Sequence, residues 1–265
     1  MCDEATWAAL VEATWRLGDR LLFLTSPNLR GDDIGELQAR LGRLGFDCGR
    51  VDGILGPRTA LAIEEFQGNA GLIVDGTCGT ETMQALERVS RQTGSGPGIA
   101  TVRERERLRN SPTSLADRRI VVGQFGGLST LTRALARELR LCGAIVISVD
   151  EPDAIAQADA ANQFAADLYV GFESITEGPS RITYYAVPTF ESTGGRSLAE
   201  RVAVGLSRLS SSAPDVVGMR LQVLRETRMP AILNSFRSVR QTIDQSIEVA
   251  RIVRVAIEEW ALYPL

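Results

Sequence analysis

The feature that most constrains this chain is a frame that occurs twice in quick succession. "VDGILGPRTALAI" (51–63) and "VDGTCGTETMQAL" (74–86) share Asp-Gly-x-x-Gly-x-x-Thr. An Asp-Gly pair makes a tight turn in which the glycine takes positive φ, and the threonine three residues beyond the second glycine stands near a helix start. Two such turns require short helices that fold back on one another. "DDIGELQARLGRLGF" (32–46) spaces Ile34, Leu37, Leu41 and Leu44 along one helical face and ends at Gly45. "RTALAIEEFQGNAGL" (58–72) supplies Leu61, Ile63, Phe66 and Leu72 to close a small core. The expectation is a three-helix module over 29–91, of a size (about 60 residues) at which a core is only marginally sufficient.

The frame recurs in part at the start of the chain. Cys2, Thr6, Ala9 and Leu10 of "CDEATWAAL" match Cys78, Thr82, Ala85 and Leu86 of "CGTETMQAL". Residues 1–28 therefore read as the remnant of an earlier copy. Its helix, 5–24, exposes Trp7, Leu10, Trp15, Leu17 and Leu21, a stripe expected to pack elsewhere in the chain. After the module, "RQTGSGPGIATVRERERLRNSPTS" mixes Gly, Ser and Pro with alternating charge, and 92–117 reads as a linker with one exposed helical turn.

From Arg118 the texture changes to strands alternating with helices. "RRIVVGQF", "AIVISVD", "DLYVGFES", "RITYYAVP" and "PAILNSF" read as strands. "LSTLTRALARELRLCG", "PDAIAQADAANQF", "GGRSLAERVAVGLSRL" and "TIDQSIEVARIVRVAIEEWAL" read as helices. This alternation means a layered α/β domain over 118–265. Open α/β sheets keep their chemistry at the carboxyl ends of strands, which is where Glu173 stands.

Composition excludes several functions. The 265 residues allow two domains, and no apolar run approaches the roughly 18 residues that a membrane span needs. The net charge is −4, and all 29 basic residues are arginines spread among acids, which argues against a nucleic-acid surface. Cys2, Cys48, Cys78 and Cys142 form no Cys-x-x-Cys pair, so neither a zinc ribbon nor a disulfide framework is indicated. "MCDEATWAAL" lacks the pattern of a secretory signal, and the expected location is the cytoplasm. The chain contains no histidine, the commonest general base and metal ligand.

Gly31 to Leu86, with its Leu-Gln and Phe-Gln helices and two Asp-Gly frames, resembles the peptidoglycan-binding module of the PG_binding_1 type. The turns at Asp52, Gly53, Asp75 and Gly76 either hold that module together or touch its ligand. The segments "AANQFAADLYVGFES", "ITYYAVP", "RSLAERV" and "LQVLRETRMPAILNSF" resemble zinc-dependent N-acetylmuramoyl-L-alanine amidases of the Amidase_3 type. The resemblance implies a central mixed or parallel sheet flanked by helices. It also sets Phe125 at the first zinc-binding histidine, Glu173 at the second and Ser235 at the catalytic glutamate, while the loop after Phe125 is too short for the remaining ligand. Zinc catalysis needs three protein ligands and a carboxylate base. The expectation is therefore a pseudoenzyme with no metal and no cofactor, keeping a vestigial pocket lined by Gln124, Phe125, Glu173 and Ser235, with Glu173 paired to an arginine. A hard-cation site from Gln124, Glu173 and Glu177 and a nucleophilic Ser235 are the weaker readings of the same residues.

The joined architecture resembles a group of actinobacterial amidase-like proteins. What that implies is control of peptidoglycan precursor synthesis inside the cell through protein–protein binding. The implied partner is a wall-synthesis protein such as UDP-N-acetylglucosamine enolpyruvyl transferase, or a membrane-associated one. The alternatives are a binder of a muropeptide or peptidoglycan precursor and, third, an active amidase.

Overall fold

The computed structural model describes residues 4–90, 98–187, 190–209 and 213–265. The chain divides into two compact units, Met1–Arg103 and Glu104–Leu265. Most of the stretch expected as a linker before Gly98, and Cys2 of the repeat match, lie outside the described residues.

In the first unit α1 spans Glu4–Thr14, α2 Asp32–Arg43, α3 Pro57–Ala70 and α4 Thr80–Ser90. Proline at the first turn of α3 and Gly71 in the left-handed conformation just past its end fix that helix at both termini. Ile34, Leu37, Leu41, Ile63, Phe66 and Leu86 are buried together. Leu61 is not among them: it is 54% exposed. Two residues from Ile63 on a helix is about 200° around the axis, so Leu61 faces solvent while Ala60 and Ala62 flank the core.

The helix expected over 5–24 stops at Thr14. Gly18 has φ 109°, and no helix follows it before α2. Leu22 pairs with Cys78 and Arg30 with Ile54 in antiparallel bridges, so this segment runs past both Asp-Gly turns. Leu22 is fully buried, whereas Trp7, Leu10 and Leu21 are exposed. Arg20 forks onto Asp33 (Nε–Oδ2 2.7 Å, Nη2–Oδ1 3.1 Å), donates to the Arg30 carbonyl and lies over the Trp15 ring. Leu22 thus joins the module core, with Leu17 and Leu29 packed against it.

The linker stretch contains a full helix, α5 (Ile99–Arg109), in place of one turn. In the second unit its Leu108 is buried, and Glu104 receives hydrogen bonds from Ser192 Oγ (2.6 Å), Thr193 N (3.0 Å) and Gly194 N (3.4 Å). That carboxylate sits at the N-terminus of α8 (Thr193–Leu206), where the helix dipole and free N–H groups favour negative charge.

The other elements of this unit are β1 (Arg119–Gln124), α6 (Ser129–Leu141), β2 (Ile145–Asp150), α7 (Ala154–Gln163), β3 (Leu168–Ser174), β4 (Arg181–Val187), β5 (Phe190–Glu191), β6 (Asp215–Met219), α9 (Gln222–Glu226), β7 (Ala231–Phe236), α10 (Val239–Asp244) and α11 (Ser246–Leu262). The sheet runs β2-β1-β3-β7-β4-β5, with β6 also paired to β4. β2, β1, β3 and β7 are parallel, β4 is antiparallel to β7, and β6 is parallel to β4. It is a mixed sheet flanked by helices, as expected. One face packs α6, α8 and α11 against Ile120, Val122, Val170, Phe172 and Ile232, with Trp260 buried beneath and its indole N–H on the Gly194 carbonyl. The helix expected over 242–262 is broken at Gln245, because α10 closes there on its own.

Candidate functional site

The two Asp-Gly turns of the module share one device. Gln38 on α2 donates from Nε2 to Asp52 Oδ1 (2.9 Å), the Ile54 carbonyl (3.0 Å) and Thr59 Oγ1 (3.1 Å). Its Oε1 accepts from the N–H groups of Asp52 (3.0 Å) and Gly53 (2.8 Å). Gln67 on α3 repeats the set on Asp75 Oδ1, the Thr77 carbonyl, Thr82 Oγ1 and the Asp75 and Gly76 N–H groups. Each amide reads the whole Asp-Gly-x-x-Gly-x-x-Thr frame. Both glutamines are 1% exposed. The first carboxylate oxygen of each turn aspartate is occupied inside the module, and Asp75 is held below its ordinary pKa by the Thr77 N–H and then by Gln67.

In the second unit the three positions singled out by sequence converge, although they are far apart in the chain. Gln124 pairs with Phe172, and one residue further Phe125 donates its N–H to the Phe172 carbonyl (2.9 Å). Glu173 pairs with Ser235. Directly opposed residues project from the same face, so Glu173 and Ser235 lie side by side, and Ser235 Oγ donates to Glu173 Oε1 at 2.6 Å. Ser235 is buried and Glu173 half-buried.

Two expectations change. Gln124 does not join this group: strand alternation turns it to the opposite face, where its Oε1 accepts from Leu128 N (2.7 Å) and closes the turn into α6. Glu173 has Ser235 as its partner, and among the described residues no arginine pairs with it. Glu177 is exposed in the loop after β3.

Beneath the row, a second polar group seals the sheet. Fully buried Gln157 of α7 donates to the carbonyls of Gln124 and Glu151 and accepts from the Tyr169 hydroxyl at 2.7 Å. Burial, and then the negative charge of Glu173, push the Tyr169 phenol far up, so it is a permanent donor. A side chain at Gly123 would collide with Gln157 and Tyr169. Zinc does not fit what stands here. At the positions the resemblance assigns, phenylalanine offers no ligand atom and a serine-bonded carboxylate is one ligand at most. Among the described residues no three His, Cys, Asp or Glu side chains gather closely enough to hold a metal.

With this geometry in hand, the chain is an amidase-like, peptidoglycan-related protein by comparison with known ones. Residues 30–86 match the family described as "Putative peptidoglycan binding domain". The chain is 32% identical to N-acetylmuramoyl-L-alanine amidase CwlM of Mycobacterium tuberculosis, over 98% of its own length and 71% of that protein. It is 44% identical over 61 residues to the spore cortex-lytic enzyme of Bacillus cereus, covering 23% of this chain and 24% of that one. Among solved structures it is similar to the N-acetylmuramoyl-L-alanine amidase of Clostridium difficile 630, with a TM-score of 0.44 and 18% identity over 55% of this chain and 97% of the other. The chain belongs to the N-acetylmuramoyl-L-alanine amidase family represented by CwlM.

Proposed function

We propose that this chain is a non-catalytic member of its family that regulates peptidoglycan precursor synthesis from the cytoplasm by binding other proteins. The observation that carries the reading is the pair Ser235–Glu173. At the position that the resemblance assigns to the catalytic glutamate stands Ser235, and its hydroxyl engages Glu173, which the resemblance sets at a ligand position. Zinc hydrolysis requires three protein ligands, an open position for water and a group to take its proton. The donor set described above supplies one ligand at most. With hydrolysis set aside, the peptidoglycan-binding module and the amidase-like unit remain as binding surfaces. A wall-synthesis protein is the partner proposed, UDP-N-acetylglucosamine enolpyruvyl transferase first.

The test has two parts. Metal content is measured by mass spectrometry on the full chain, purified without chelator and then offered excess zinc. Binding to the purified transferase is measured by surface plasmon resonance. The reading expects substoichiometric zinc and a saturable complex. Stoichiometric zinc together with chelator-sensitive release of stem peptide from purified glycan would overturn it. Absence of any complex would remove the transferase as partner.

A further inference from the structure

The row through Glu173 and Ser235 continues across the sheet. Arg181 on β4 pairs with Ser235, and Asp215 on β6 pairs with Arg181. By the same rule of opposed residues, all four side chains project from one face at one end of the sheet. Arg181 Nε is buried and has no hydrogen-bond partner, and among the described residues Arg181 makes no ion pair. Asp215 beside it is exposed. Ser235 Oγ donates its proton to Glu173, and Arg181 Nε does not bond to it. A buried donor left without an acceptor is costly, and more so when it is charged. Arg181 Nε therefore lacks an acceptor, and Glu173 keeps a second oxygen that can only accept.

We propose that this row binds a small zwitterion: a short peptide whose free carboxylate meets Arg181 and whose free ammonium meets Glu173. The charges select the class. An inorganic anion would satisfy Arg181 but face Glu173 and Asp215. A simple cation would satisfy Glu173 and leave Arg181 as it is. A ligand with both signs answers both groups. Glu173 and Arg181 are two strands apart, about 10 Å between Cα atoms with Ser235 between them, so a dipeptide suits the span better than a point charge. This site needs neither catalysis nor a protein partner, and it stands apart from the regulatory reading.

The test is titration calorimetry on the full chain with alanyl-alanine, its N-acetyl form and its C-terminal amide. The free dipeptide is expected to saturate, and each blocked form to bind about tenfold weaker or worse, the loss of one charge-assisted hydrogen bond. Glu173→Gln should erase the difference between free and acetylated ligand. Arg181→Met should erase the difference between acid and amide. Equal binding of all three ligands, or no saturable binding, overturns the proposal. So does a thermal double-mutant cycle in which Glu173→Gln and Arg181→Met are strongly coupled without ligand, because the two side chains would then pair with each other.

Discussion

Replacing Gln67 by leucine tests whether the amide clasp is what holds the module closed. Leucine keeps most of the volume and loses every polar contact. Asp75 is exposed, so its carboxylate and N–H can turn to water. The Gly76 N–H is buried with Gln67 as its acceptor, and Thr82, 5% exposed, loses the amide donor while keeping its bond to the Thr77 carbonyl. An unpaired buried polar group costs about 1–3 kcal/mol, and one to two such groups place the loss at about 2–4 kcal/mol. Small domains sit at the low end of the usual 5–15 kcal/mol, so this is a large share of the module's stability. The assay is thiol labelling of Cys48 and Cys78 across a urea series, resolved by peptide mass spectrometry. Both thiols are buried in this unit and report its opening alone. Gln84→Leu, on the exposed side of α4, is the control and should change stability by less than about 0.5 kcal/mol. If Gln67→Leu shifts the midpoint no further than Gln84→Leu, the clasp does not close the turn and the reasoning fails.

Arg20→Met leaves the Asp33 carboxylate, 1% exposed, without its cation, and should destabilise the first unit by about 3–5 kcal/mol. Adding Asp33→Asn should recover part of that loss in the same urea assay. Glu104→Ala leaves the Ser192 cap of α8 but removes the carboxylate that accepts from the Thr193 and Gly194 amides, and should cost about 1 kcal/mol, read as faster hydrogen exchange at those two amides. Burial pushes the Cys78 thiol from 9.0 up to about 12. The folded unit therefore keeps a proton that the unfolded chain releases. Stability from this group is full below pH 9 and falls as pH rises from there towards 12. Cys78→Ala should flatten that part of an alkaline unfolding profile, and an unchanged slope would contradict the assignment.

Much of the fold is legible because its signals are periodic. β1, β3 and β7 are buried on both faces and read as apolar runs, and the Asp-Gly frames announce their own turns. What escapes detection has a physical reason in each case. β6, "DVVGM", is a half-exposed edge strand, and β5 has two residues, so neither carries a pattern. The sequence of α5, "IATVRERERLR", is polar almost all round, and within the second unit it is anchored by buried Leu108 and by Glu104. Gln38 and Gln67 could have been found. Each follows an apolar residue on the helix preceding an Asp-Gly frame, and a glutamine at a buried helical position requires polar partners. Gln124 shows the opposite risk: it stands next to Phe125 in sequence, yet one step along a strand is a change of face.

The amidase-like unit separates scaffold from chemistry in an instructive way. Phe125, Glu173 and Ser235 come together because three parallel strands end at one edge of the sheet, and that depends on backbone register rather than on the side chains placed there. The sheet below is then closed by Tyr169 and Gln157, whose hydrogen bond lies where any side chain at Gly123 would collide. Gly171 serves the same packing, since a Cβ there would press on Leu233 and the Tyr169 ring. The row lies at the carboxyl ends of β3 and β7, and what it can recognise is decided by the side chains there. Along the rim the charges alternate from Glu173 to Arg181 to Asp215, with Ser235 fixed between the first two. A row of alternating sign is poorly matched to a lone metal ion or a lone anion and well matched to a ligand that carries both charges.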